Sequence, residues 1–411
     1  MVHSGHSSTR ILRIVSIMLP VFLLVLPLQA QQPDTPVERI RLDIPGPPAA
    51  ADGSALPALM VTYTSRQQGY HEVSLTLSGG GNSKNLSMIP RFGTHTLYLY
   101  PALIGFWPET LDIGTLPGME ITTLSVVGHE KADAPIPADA GTMIEYGPEH
   151  WRKEAYELFS WNLAPDILVY VTKDYQEQAR MFKRLAFFVE KPGFSGKLHS
   201  NETIGNRHGW NAHDYRAEDL ARFFRKAREE NFTLNPEEEI LFRELTANGI
   251  LRREDGIIMP GSGSVLSVSM ETPLALRTKF LIHESFHGLF FTSPRFRIAC
   301  LDSWRNLSRA EQDFWKMFFS YRTYNINNEF LLVNEFMAYL MQQEKSDLDW
   351  YYKEFVANQL TGAYPERKQE IEKFYRDYPD TFLLSATRIE KAAEALFGVR
   401  AGDLACIMYN P

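Results

Sequence analysis

Apolar positions along the chain fall into two regimes. In residues 37–130 the segments ERIRLDI, HEVSLTLS, THTLYLY and MEITTLSVV alternate apolar and polar residues, as strands do when they bury one face. Turn clusters such as SGGGNS, and LPG at residues 116–118, separate them. Together they predict an antiparallel β-sandwich. From residue 146 onward the spacing is mostly helical. DILVYVT, residues 166–172, reads as a buried strand, and QARMFKRLAFFVEK continues as an amphipathic helix. Asn235, with Pro236 next and Glu238 at the third helical position, predicts a capped helix running to about Asn248. GIIMPGSGSVLSVSM, residues 256–270, predicts a hairpin or an edge strand, after which Thr272 can cap a helix that has Pro273 in its first turn. Strands and helices mix without βαβ repetition, so the expected class is α+β. Residues 131–145, rich in proline and alanine at their start, are expected to link a sandwich at 37–130 to a helical domain at 146–411.

The first thirty residues carry a different pattern. Arg10 and Arg13 precede an apolar run over residues 14–28, and Leu28-Gln29-Ala30 closes it before the polar QQPDTPVE. That is the order of a secretory signal peptide at 1–30, with cleavage after Ala30. The run contains Pro20 and Pro27 and is short for a membrane span of roughly twenty residues. A secreted or periplasmic protein is expected, with membrane contact only if the leader stays uncleaved. At 44% hydrophobic, the chain has the composition of an ordinary globular protein. Its formal charge of −8 argues against nucleic acid and anionic membranes as partners. Cys300 and Cys406 are too few for a disulfide framework, and their neighbours are apolar, so either a pair or two buried thiols is open.

One stretch breaks its own pattern. FLIHESFHGLFF, residues 280–291, sets His283, Glu284 and His287 into a run that otherwise reads as solid core. Residues four apart on a helix lie about 40° apart, so both imidazoles can reach one point. This is the HExxH pattern: two neutral imidazoles bind Zn2+, while the glutamate stays off the metal and acts as general base. An ionised glutamate among Phe280, Ile282, Phe286, Leu289 and Phe290 is costly unless paired or linked to a metal.

A catalytic zinc needs a third protein ligand. FLLVNEFMAYLMQQ, residues 330–343, reads as a second helix, and its N-E-x-x-A resembles the third-ligand helix of gluzincin metallopeptidases, which include an aminopeptidase family. The resemblance covers the two metal-binding helices and, loosely, the preceding strand. It implies Glu335 as the third ligand of one zinc per chain and a zincin-like domain. Family members place that glutamate roughly twenty residues after the second histidine. Here a helix with a Ser308/Glu311 capping box is inserted between them, and Glu329 and Asp302 stay open as alternatives. Tyr339, one turn after Glu335, is a candidate oxyanion donor. The G-x-M-E-N stretch of the aminopeptidases is missing. SVSMETP offers only Glu271, expected at the surface, so an endopeptidase is favoured. In related enzymes the preceding strand pairs with an extended substrate, a role open to GSGSVLSVSM.

The remaining candidates are weaker. HSNETIGNRHGWNAHDYR gathers His199, His208 and His213 with Trp210 and Tyr215, and is expected to be a solvent-facing loop. The N-terminal domain resembles jelly-roll modules of the galactose-binding type in its pattern; such modules often hold glycans on exposed aromatics, for which Phe106 and Trp107 are candidates, while capping of the core or packing against the next domain is the favoured reading of both. The expected activity is hydrolysis of peptides by zinc and Glu284. A zincin-like domain without turnover, serving as a glycan- or protein-binding module, is the alternative.

Overall fold

The computed structural model describes residues 38–47, 56–129, 134–191 and 193–409. The leader at 1–30 therefore lies outside the described residues. The fold is mixed α+β, 45% helical and 26% strand. No helix among the described residues is long and apolar enough to cross a membrane.

The alternating N-terminal segments build two antiparallel sheets. One runs Glu38–Asp43, Thr110–Thr115, Val73–Gly79, Asn82–Met88 and finally Ile407–Met408; the other runs Gly93–Leu99, Leu56–Ser65, Met119–His129. Val73, Leu75 and Leu77 of the first sheet share a core with Leu59, Val61 and Tyr63 of the second, as period-two burial dictates. SGGGNS closes the hairpin between Val73–Gly79 and Asn82–Met88, where Gly80 and Gly81 take φ of 56° and 79°. Both are left-handed values that glycine adopts without a Cβ penalty. Phe106 and Trp107 are half-buried against this core, and the Trp107 indole donates to the Pro45 carbonyl at 3.3 Å.

The last strand of the first sheet comes from the far end of the chain. Ile407–Met408 pairs with Asn82–Met88, and Cys406, Ile407 and Tyr409 are buried in the same core. Cys406 is a free buried thiol there, and Cys300 is another in the helical core. The segment expected to be a linker also does more than connect. Ile136–Ala138 pairs in parallel with Tyr156–Trp161, and Asp139 caps helix Ala140–Glu145. The Asp139 carboxylate also accepts from the amides of Cys406 and Ile407, at 2.8 and 3.1 Å. Composition suggested a tether, but burial of Ile136 and Ala138 makes the segment structural.

A five-stranded mixed sheet lies at the centre of the remaining chain, in the order Ala212–Arg216, Ser264–Ser269, Ala164–Thr172, Tyr156–Trp161, Ile136–Ala138. Ala164–Thr172 is apolar without alternation because both of its faces are covered. Ile167, Val169 and Val171 pack with Phe286, Leu289 and Phe290 of helix Leu274–Thr292. Leu168 and Tyr170 pack with Phe182 and Leu185 of helix Tyr175–Val189. Three local expectations change. Ser264–Ser269 is an interior strand, parallel to Ala164–Thr172, whereas Ile257–Pro260 pairs with Leu251–Glu254 in a separate two-stranded sheet. Ala212–Arg216, expected in a loop, is the edge strand of the central sheet, with His213 and Tyr215 buried. Thr272 does not cap the following helix: its hydroxyl meets that of Tyr175 at 2.7 Å, and the helix starts at Leu274 after Pro273. The capping boxes Asn235/Glu238 and Ser308/Glu311 form as the sequence indicates.

Candidate metal centre

Helix Leu274–Thr292 has no side-chain N-cap, so packing rather than capping holds it. It lies against the central sheet at Gly288, where an added Cβ would stand 2.9 Å from Ile167 Cδ1. That close approach sinks the preceding turn into the interior: His287 is 1% and Glu284 7% exposed. Helix Glu329–Met341, capped by Asn328, packs alongside and buries Glu335 to 4% exposure.

The two helices bring three of the expected residues to one point. The Nε2 atoms of His283 and His287 are 3.0 Å apart. Glu335 spans them, with Oε2 3.7 Å from His283 Nε2 and Oε1 3.8 Å from His287 Nε2. These separations exceed hydrogen-bond length, and Glu335 Oε2 is buried without a hydrogen-bond partner among the described residues. An uncompensated buried carboxylate oxygen facing two imidazole nitrogens is the arrangement that a cation relieves. His283, His287 and Glu335 offer ligand atoms within 4.8 Å of one another and could hold a metal ion. Two imidazoles and one carboxylate fit the ligand preference of zinc with a position left open.

Charge follows from this packing. Burial pushes the His287 imidazole down to about 4, so the ring is neutral and can ligate. Burial would raise Glu335, but His287 and His283 outweigh it and hold the carboxyl below its ordinary value. Glu284 is pushed up to about 7, by burial first, with Glu335 adding to the rise and His283 opposing it. Glu284 thus sits beside His283 on the same helix yet outside the His283, His287, Glu335 group.

The other candidates disperse. Glu329 and Asp302 are exposed and belong to neither metal-competent group. Glu271 lies at the surface, where its carboxylate accepts from the Tyr175 amide at 2.9 Å. His213 is a core histidine, pushed down to about 3 by burial and hydrogen-bonded to Tyr215 at 2.9 Å. His208 is exposed and paired with Asn211 at 2.8 Å. The ring of Tyr339 packs edge-on against His283, with centroids 5.0 Å apart, and meets the Tyr324 ring with centroids 6.5 Å apart.

Several side chains at the site have no local sequence signal. Asp214, on the edge strand Ala212–Arg216, brings Oδ2 to 3.9 Å from His287 Nδ1 and forms a second metal-competent group with Glu284 and His287. Burial and the neighbouring carboxylates raise Asp214 well above the usual carboxylate range. Glu190, the C-cap of helix Tyr175–Val189, is pushed up to about 8 by burial and by Glu335. Tyr324, from the segment before helix Glu329–Met341, lines the same cleft as Glu335. A cleft of about 640 Å³, lined by Glu190, Asp214, Tyr324, Phe330 and Asn334, opens onto Glu335. Comparison of the chain with protein-family models, curated proteins and solved structures finds no match.

Proposed function

We propose that the chain is a secreted or periplasmic zinc-dependent peptidase of gluzincin-like type, an endopeptidase, with an N-terminal jelly-roll-like β-sandwich and a zincin-like domain that carries the site. One observation supports it above all others: His283, His287 and Glu335, from two separate helices, converge on one point where a buried carboxylate oxygen has no hydrogen-bond partner among the described residues. Bound there, zinc would supply a Lewis acid that polarises the scissile carbonyl and acidifies water. The protein's own part follows from its geometry. His283 and His287 present their Nε2 atoms to the centre, and Glu335 offsets part of the dication's charge. Glu284, raised toward neutrality by burial, accepts a proton from the attacking water and returns it to the departing amine. Tyr324 and Tyr339 both remain protonated, held up chiefly by burial, and keep hydroxyl donors beside Glu335.

The extended substrate strand has to be placed elsewhere than the sequence indicated. Ser264–Ser269 is paired on both sides, so an added strand would join the outer edge of Ala212–Arg216, which borders the cleft through Asp214 and Arg216.

The test is cleavage profiling of a mixed peptide library by protein starting near Gln31 with its zinc content measured. Close to one zinc per chain and zinc-dependent cleavage are expected, both lost on His283→Ala or His287→Ala. Glu284→Gln should retain zinc and lose turnover. Cleavage by metal-free protein would end the proposal. Zinc binding without any turnover would leave a binding module instead.

A further inference from the structure

His283 is the more exposed of the two imidazoles, with 12% of its side chain accessible against 1% for His287, and it could rotate unless something held it. Besides His287, 3.0 Å away at Nε2, its partners come from one stripe of helix Glu329–Met341 and its C-cap Gln342. Residues at i, i+4 and i+7 lie on one face of a helix, and Glu335, Tyr339 and Gln342 occupy those positions. Glu335 faces His283 Nε2 at 3.7 Å, Tyr339 packs on the ring edge, and Gln342 Oε1 stands 2.9 Å from Nδ1. The Gln342 amide is itself anchored. Its Nε2 donates to the Tyr351 hydroxyl at 3.4 Å, and Tyr351 belongs to the π-helix Trp350–Val356. The adjacent Gln343 is engaged separately by Lys279. Each histidine nitrogen has a distinct task set by its partner: an amide oxygen only accepts, so with Gln342 Oε1 facing the ring, Nδ1 is the nitrogen that donates.

We propose that Gln342, anchored by Tyr351, is a positioning residue that fixes His283 as the Nδ1–H tautomer and turns the Nε2 lone pair toward His287 and Glu335. The assignment deepens the zinc reading and rests on it for its role, though the tautomer itself can be measured without metal. Partners that hold the far nitrogen of a ligating histidine typically contribute 10- to 100-fold in metal affinity. Sequence alone gives no hint of it, because MQQEK reads as an ordinary polar helix end.

Two measurements test it. In zinc-free, nitrogen-15-labelled protein at alkaline pH, ring resonances should show His283 protonated at Nδ1; Gln342→Leu should lose that preference and Gln342→Glu keep it. Competition with a chromophoric chelator should show zinc affinity falling by about 10- to 100-fold in Gln342→Leu, less in Tyr351→Phe, and remaining near wild type in Gln342→Glu. Protonation of wild-type His283 at Nε2 overturns the assignment. A folded Gln342→Leu variant that holds zinc as tightly as wild type does so as well. Wild-type protein with the Nδ1–H tautomer but no affinity for zinc supports the Gln342 assignment and overturns the zinc reading instead.

Discussion

Glu335 and Glu329 separate the two ways in which helix Glu329–Met341 could serve a metal centre. Both are glutamates of Glu329–Met341, but Glu335 is 4% exposed between the imidazoles while Glu329 stands in solvent at the first turn. Replacing Glu335 with Gln leaves a neutral amide, a poorer zinc ligand that offsets none of the charge. Glu335→Gln is therefore expected to lose more affinity than the roughly 10- to 100-fold attached to outer partners, and Glu329→Gln to keep wild-type zinc binding. Dialysis against buffered zinc checks both, and loss of metal in Glu329→Gln alone would move the ligand. The motif residues His283, Glu284 and His287 were legible because their spacing is local and their flanks are apolar. Asp214, Glu190 and Tyr324 were not, since each reaches the site from a different element and none breaks the pattern of its own segment.

At the scale of elements, the helix that carries both histidines is placed by how closely it approaches the sheet. Gly288 leaves no room for a side chain: a Cβ would stand 2.9 and 3.2 Å from two atoms of Ile167 and 3.3 Å from Ser264 Oγ. Gly288→Val should force the helix off the strand, destabilise the fold by about 1–3 kcal/mol as overpacking does, and weaken zinc binding by displacing His287. Denaturant titration alongside zinc competition tests this, and an unchanged zinc affinity in the variant would show that the helix is positioned by other contacts. The sequence showed that this helix is buried, since its apolar residues surround it. It did not show which strands cover it. Ser264–Ser269 reads as an edge because serines alternate with apolar residues, yet all six of its residues are buried. Ser267 accepts from the Gln178 amide at 3.0 Å, and partners of that kind let polar side chains enter an interior strand.

Across the whole molecule, Ile407–Met408 forms one edge of a sheet whose other edge is Glu38–Asp43. Gly141 approaches so closely that a Cβ there would lie 1.8 Å from the Ile407 carbonyl oxygen, and Arg91 reaches across to the Leu404 carbonyl. Removing the chain beyond Leu404 should uncover Val73, Met88 and Tyr63 by taking away Cys406, Ile407 and Tyr409. Burial of one side chain the size of Ile407 is worth about 1.5–3 kcal/mol, so a clearly lowered melting temperature is expected. Equal melting of the truncated and full chains would show that the strand is dispensable. Zinc provides a second measurement at this scale. His287 and Glu335 lie on helices whose apolar residues belong to one core, so a ligand bound between them stabilises the folded state by mass action. Melting temperature should rise with zinc and fall with a chelator; no response in wild-type protein would argue against the centre.

The sequence by itself determined what depends on near neighbours: the strand pattern of residues 37–130, the capped starts at Asn235 and Ser308, the α+β mixture, and the two motifs HESFH and NEFMA. Those features follow from periodicity and side-chain type, which act within a turn or a strand. Tertiary structure alone decided which distant segments meet. It joined Ile407–Met408 to the first sheet, turned residues 136–138 from a tether into a strand, and made Ala212–Arg216 the edge that carries Asp214. It also set Gln342 against His283 and Glu335 between the two imidazoles. Such pairings are fixed by burial and hydrogen-bond satisfaction summed over the folded chain, and no single segment carries that sum in its own residues.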